Sequence, residues 1–152
     1  MKFERNAGIL LHPTSLPGKY GIGDLGNDAY KFIDFLEKAG QKLWQVFPLG
    51  PTGYGDSPYQ CFSAFAGNPN LISLDKLMED GLLRDHDLHN IPEHDPISID
   101  YGEVIEYKKS LLKKAFTNFK HHQEKFEKDF NKFCKENKVW LDDFAFFMAA
   151  KE

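Results

Sequence analysis

An α/β fold is predicted for this chain from three observations. A short apolar run closes in a Pro/Gly loop, an amphipathic helix follows, and a second apolar run rich in β-forming residues comes after it. Strand, helix and strand within about 40 residues make a βαβ unit, a parallel pair joined by a right-handed crossover. The first strand is Ala7 to Leu11, AGILL, ended by HPTSLPG, whose prolines and glycine forbid regular structure. In NDAYKFIDFLEKAG, Ala29, Phe32, Ile33, Leu36 and Ala39 recur at helical spacing; Asn27 or Asp28 suits the first turn and Gly40 the stop. KLWQVFPL, closed by Pro48, is the second strand. Parallel strands are covered on both faces, so several further strands are expected.

The rest of the sequence reads as helix instead. LDKLMEDG, from Leu74, is a short helix, followed by the His- and Pro-rich loop HDLHNIPEHDPISID. Val104, Tyr107, Leu111, Leu112, Ala115 and Phe119 form one apolar stripe, and Phe126, Phe130, Phe133 and Cys134 a second, with a break expected near His121 and His122. WLDDFAFFMAAKE is a third helix, with Leu141 or Asp142 near its start and one of Asp142 and Asp143 as its cap. It runs to Lys151 and Glu152 without a stop signal, so the chain is expected to be part of a longer protein.

Composition narrows the function classes. Of the 152 residues, 41% are apolar and 14% aromatic, which places the chain among globular proteins with a real core. A net charge of -4 gives no electrostatic reason to expect nucleic acid or an anionic membrane as partner. No apolar stretch reaches the length of a membrane span, and MKFERNAGILLHP is too short in its apolar part for a signal peptide, so a cytoplasmic location is expected. Cys61 and Cys134 are too few and too far apart for a disulfide framework or metal motif, which fits a reducing compartment.

Several motifs match known chemistry only on the surface. GIGDLG, Gly21 to Gly26, has dinucleotide-binding spacing, but the first strand ends about ten residues too early and no acid closes the second strand to hold a ribose. Ser57 in GDSPY lacks the second glycine and the following helix of a nucleophile elbow, so a polar loop contact is expected. His86, His89 and His94 are poorly spaced for a metal, and His121 and His122 point to different helix faces; no metal site is expected. His12 stands at the carboxyl end of the first strand, where parallel α/β folds carry their sites, and reads equally as a structural hydrogen-bonding residue or a ligand contact. Adjacent Asp142 and Asp143 diverge by about 100° on a helix and cannot pair as acid and base.

GPTGYGDSPYQ, residues 50 to 60, stands apart. It leaves the carboxyl end of the second strand, and its prolines and glycines fix its path in advance. Rigid Tyr rings beside Asp, Ser and Gln suit sugars, whose C–H faces stack on aromatics while their hydroxyls need donors and acceptors. The alternative is a structural loop in which Tyr54 and Tyr59 are packing plugs.

The stretches GILLHPTSLPGKYGIGDLG, LWQVFPLGPTGYGDSPYQCFSAFAGNPNLISLD, DYGEVIEYK and WLDDFAFFMA closely resemble the N-terminal part of the amylomaltases, the 4-α-glucanotransferases or disproportionating enzymes of bacteria. The resemblance covers nearly the whole chain and is most specific from Gly8 to Asp75; Cys61 departs from it, standing where a small polar residue is common. It implies an N-terminal part of a (β/α)8 TIM barrel. Residues 1–73 would form the first βαβ unit with a substrate-binding loop, and 74–152 an inserted, mostly helical subdomain. It also implies an enzyme that moves α-1,4-glucan segments between maltodextrins or to glucose with retention, without a cofactor. The catalytic carboxylates would lie on later strands, leaving no catalytic residue in this chain, which alone would be inactive. The expected partners are maltooligosaccharides, amylose and glucose. Tyr59, with Asp56 and Ser57, would line the donor side near the cleaved bond; Tyr54 and Tyr101 would bind glucan at a second site. A non-catalytic glucan-binding or assembly module is the alternative.

Overall fold

The computed structural model describes residues 5–95 and 97–151; the first four residues and Glu152, on which the reading of the two chain ends partly rests, lie outside that range. β1 (Gly8–Leu10) and β2 (Leu43–Gln45) pair in parallel, with Ile9 opposite Trp44. Backbone bonds from Lys42 N to the Ala7 carbonyl (2.9 Å) and from Leu11 N to the Gln45 carbonyl (3.1 Å) finish the ladder. Both strands are shorter than the apolar runs that predicted them. Past Leu11 the chain enters a 3-10 turn, Pro13–Ser15, and Val46 to Leu49 are left without a ladder partner among the described residues.

α1 (Asn27–Lys38) crosses between the strands as predicted. Its Phe32 meets the Trp44 ring edge-on at 5.0 Å, and Trp44 Nε1 donates to the Leu11 carbonyl at 2.7 Å, fastening the helix over one face of the pair. Ile9, Leu10 and Leu43 stay exposed.

The main core lies elsewhere. α2 (Leu74–Glu79) and α3 (Tyr101–His121) bury Leu74, Leu111 and Ala115 against Leu82, Leu83 and Leu88, and Tyr20 from the loop after β1 completes the cluster. Tyr20 also donates its hydroxyl to Asp75 Oδ1 at 2.5 Å. Residues from before and after position 73 therefore share one core.

α4 (Gln123–Glu136) follows α3 after the break at His122, and α5 (Lys138–Lys151) follows Asn137. α5 starts ahead of the predicted Leu141 or Asp142, which places Asp142 and Asp143 within the helix rather than at its cap. Asn137 explains the earlier start: its carbonyl accepts from Trp140 N and its Oδ1 from Trp140 Nε1, so the first turn has closed at Trp140, before Leu141. No described residue of α4 or α5 is fully buried. No described helix is long and apolar enough to cross a membrane.

The glycine-rich stretch after β1 is a packing device. Gly21 adopts φ +78°, open to glycine at little cost, and a side chain there would run into the His94 ring. Gly23 N donates to the Thr14 carbonyl at 3.0 Å, and Gly26 N, at the start of α1, to Asp24 Oδ1 at 2.8 Å. Asp24 thus places a carboxylate of the chain itself at the N-terminus of α1, where negative charge is favoured.

Candidate functional site

The segment leaving β2 is pinned at a double neck. Asn68 N donates to the Leu49 carbonyl at 2.7 Å; inside that, Phe62 N donates to the Pro51 carbonyl at 3.0 Å and Thr52 bridges Cys61. Two tight turns fill the tip. In the first, Asp56 N reaches the Gly53 carbonyl (3.1 Å) with Gly55 at φ +82°, the left-handed third position of a type II turn; Asp56 follows at φ +52°. In the second, Gln60 N reaches the Ser57 carbonyl (3.0 Å) with Pro58 presetting the second position. Cys61 Sγ donates to the Pro58 carbonyl at 2.8 Å and braces this turn.

This backbone decides where the rings point. Tyr54, beside Gly55, is fully exposed at 102%, and Tyr59, after Pro58, is 71% exposed. Neither plugs a core. Tyr59 leans on Phe47 (5.4 Å between ring centroids), which in turn stacks on His12 at 6.0 Å. The carboxyl ends of both strands thus meet the loop in one aromatic row. Asp56 and Ser57 are half-buried beside it.

His12 is 8% exposed, and Thr14 engages its Nδ1 through Oγ1 at 2.8 Å, with Thr14 N at 3.4 Å. The structural alternative left open by the sequence is therefore realised on that side of the ring. Nε2 is buried with no hydrogen-bond partner among the described residues. Burial pushes the imidazole below its ordinary pKa, an effect partly offset by the Pro48 carbonyl.

Tyr101, the first residue of α3, is half-buried and lines a different space. With Ser15, Lys19, His94 and Ser98 it borders a groove of about 960 Å³ between the loop after β1 and the segment leading into α3. Tyr54, Asp56, Ser57 and Tyr59 do not line this groove. The structure thus gathers Tyr59 with His12 and Phe47, carries Tyr54 on the same loop, and sets Tyr101 on another element. Among the described residues, no group of three or more His, Cys, Asp or Glu side chains is arranged to hold a metal.

Sequence reading passed over one contributor to this row and one buried polar contact outside it. Phe47 is the backing ring of the row, and the only sign of it was its place at the end of the second apolar run. Lys108 lies on the buried stripe of α3 at 0% exposure, its Nζ donating to the Asn70 carbonyl at 2.7 Å and lying 3.7 Å from Asp24 Oδ2. A polar residue between Val104 and Leu111 carries no sequence signal for such a contact.

Comparison with known proteins places this surface in context. The family model described as 4-alpha-glucanotransferase, glycoside hydrolase family 77, matches residues 11–152. A 4-alpha-glucanotransferase of Synechocystis is 52% identical over 150 residues, covering 98% of this chain and 30% of the relative. One from Thermus thermophilus is 51% identical over 152 residues, 99% of this chain and 30% of the relative. Among solved structures, an amylomaltase from Streptococcus agalactiae in complex with acarbose superposes with a TM-score of 0.91 at 45% identity, covering 98% of this chain and 30% of that one. The chain therefore spans about 30% of the length of the relatives it matches.

Proposed function

The chain belongs to the 4-alpha-glucanotransferase family, glycoside hydrolase family 77, and from that premise we propose that it forms the glucan-holding part of an enzyme that transfers α-1,4-glucan segments between maltodextrins or to glucose. The observation that carries this reading is the pair of exposed tyrosines on a loop stiffened by two turns and a closed neck. A sugar that stacks there meets rings whose backbone entropy is already spent, so the contact goes into affinity rather than into ordering the loop.

In this reading β1 and β2 are the first two strands of a (β/α)8 barrel, and the exposed Ile9, Leu10 and Leu43 support it, since parallel strands are normally covered on both faces. Tyr59, backed by Phe47, packs against a glucose ring on the donor side; Asp56 and Ser57 take its hydroxyls. Tyr54 and Tyr101 hold a more distant stretch of the same polymer. Retaining transfer needs two carboxyl groups about 5 Å apart flanking the bond, and these belong to the part of the protein outside this chain. The role left to the residues here is to fix the glucan in register with them. Unpaired Cys61 and Cys134 support a reducing compartment, the cytoplasm.

The test is disproportionation of maltotriose by the whole protein. Glucose and longer maltodextrins are expected. Tyr59→Ala should lower kcat/KM by about two- to twelvefold, the loss of one stacking contact of about 0.5–1.5 kcal/mol. Glucan binding without any glucose release would point instead to a non-catalytic module.

A further inference from the structure

Lys108 is the one fully buried lysine among the described residues, and its ammonium joins three segments of chain. One contact is the Asn70 carbonyl at 2.7 Å. Asn70 N in turn donates to Asn68 Oδ1 at 2.9 Å, and Asn68 N donates to the Leu49 carbonyl at 2.7 Å, the outer neck of the tyrosine loop. The other contact is Asp24 Oδ2 at 3.7 Å, whose partner oxygen caps Gly26 N at the start of α1. A continuous polar path thus runs from the loop neck to the middle of α3. Tyr101 lies seven residues, two helical turns, ahead of Lys108 on the same face, with fully buried Val104 between them.

Burial pushes the Lys108 ammonium down and the Asp24 carboxyl up, so the pair is costly to keep charged. Well-packed apolar residues often replace buried ion pairs with no loss of stability. What such residues cannot reproduce is direction: an ammonium held by two oxygens admits one rotation and one height of α3 against the loop base, whereas an alkyl chain admits several.

We propose that Lys108, held by Asp24 and the Asn70 carbonyl, is a positioning residue that sets Tyr101 at the correct distance from Tyr54 for one long glucan to engage both. The proposal rests on the glucan reading of the preceding subsection. A short donor that never reaches Tyr101 is indifferent to it.

The experiment is a double-mutant cycle in the whole protein with Lys108→Met, Tyr101→Ala and their combination, measured on maltotriose and on long amylose. Expected are near wild-type maltotriose kinetics for Lys108→Met, with a KM for amylose raised about three- to tenfold at unchanged kcat. Tyr101→Ala should raise it similarly, and the double variant no further, because both remove the same contact. Lys108→Arg, which keeps the charge and the donors, should restore part of the loss. Should Lys108→Met fail to fold, Asp24→Asn takes its place in the cycle, since it keeps an oxygen for Gly26 N while removing the charge. Losses that add in full, or an amylose KM unmoved by Lys108→Met, overturn the proposal alone. An amylose KM unmoved by Tyr101→Ala overturns the reading of Tyr101 and the proposal with it.

Discussion

Tyr20 shows how one side chain can tie two regions together. Its ring is buried in the helical core and its hydroxyl donates to Asp75, and burial with this carboxylate raises its pKa well above the ordinary phenol value. Tyr20→Phe keeps the packing and removes the bond; because Asp75 is partly exposed and lies 3.9 Å from Lys19 Nζ, water and lysine replace the lost donor. A loss of about 1 kcal/mol in urea unfolding is expected. His12 gives a pH signature. Its folded pKa lies below the unfolded value, so the unfolded chain takes up the proton first as pH falls. Its contribution is complete above about pH 6.5 and is lost as pH drops through the window down to the lowered value. His12→Gln should remove that part of the slope in unfolding measurements below about pH 6.5. An identical slope in the variant would contradict this account.

At the scale of elements, the tyrosine loop was legible because its signals are local. Pro58 at the second position of a turn, Gly55 where φ must be positive and rings flanking both act within four residues, and the folded loop follows them. Gly55→Ala meets open space but keeps an unfavourable φ, so it should cost about 1 kcal/mol or re-form the turn, and the glucan binding proposed for this loop should weaken with it. Gly21→Ala should cost more, since a poor φ and a collision with the His94 ring combine there. What the sequence left unread is non-local. Where β2 stops depends on a partner strand, and α5 begins on the side chain of Asn137 rather than on a Ser, Thr or Asp ahead of an apolar run. Lys108 was hidden because the apolar stripe of α3 can be drawn through Val104 and Leu111 without it. The placement of Tyr101 in its groove likewise depends on how α3 docks, which no spacing encodes.

For the molecule as a whole, apolar surface is unevenly covered. Ile9, Leu10 and Leu43 lie bare on the sheet, and Phe130, Phe133, Phe146 and Phe147 are exposed on α4 and α5. Apolar patches and open strand edges drive association unless something covers them. The 152-residue chain on its own should sediment as a concentration-dependent mixture and melt broadly, and a sharp, concentration-independent transition of a monomer would argue that these faces need no cover. The double neck of the tyrosine loop has a different consequence. Because Leu49, Pro51, Phe62 and Asn68 close it through backbone bonds, residues 53–60 form a cassette whose exchange leaves the scaffold's own hydrogen bonds intact. Closure entropy is already settled at the base, so insertions or altered rings at the tip can vary while the scaffold beneath goes unchanged.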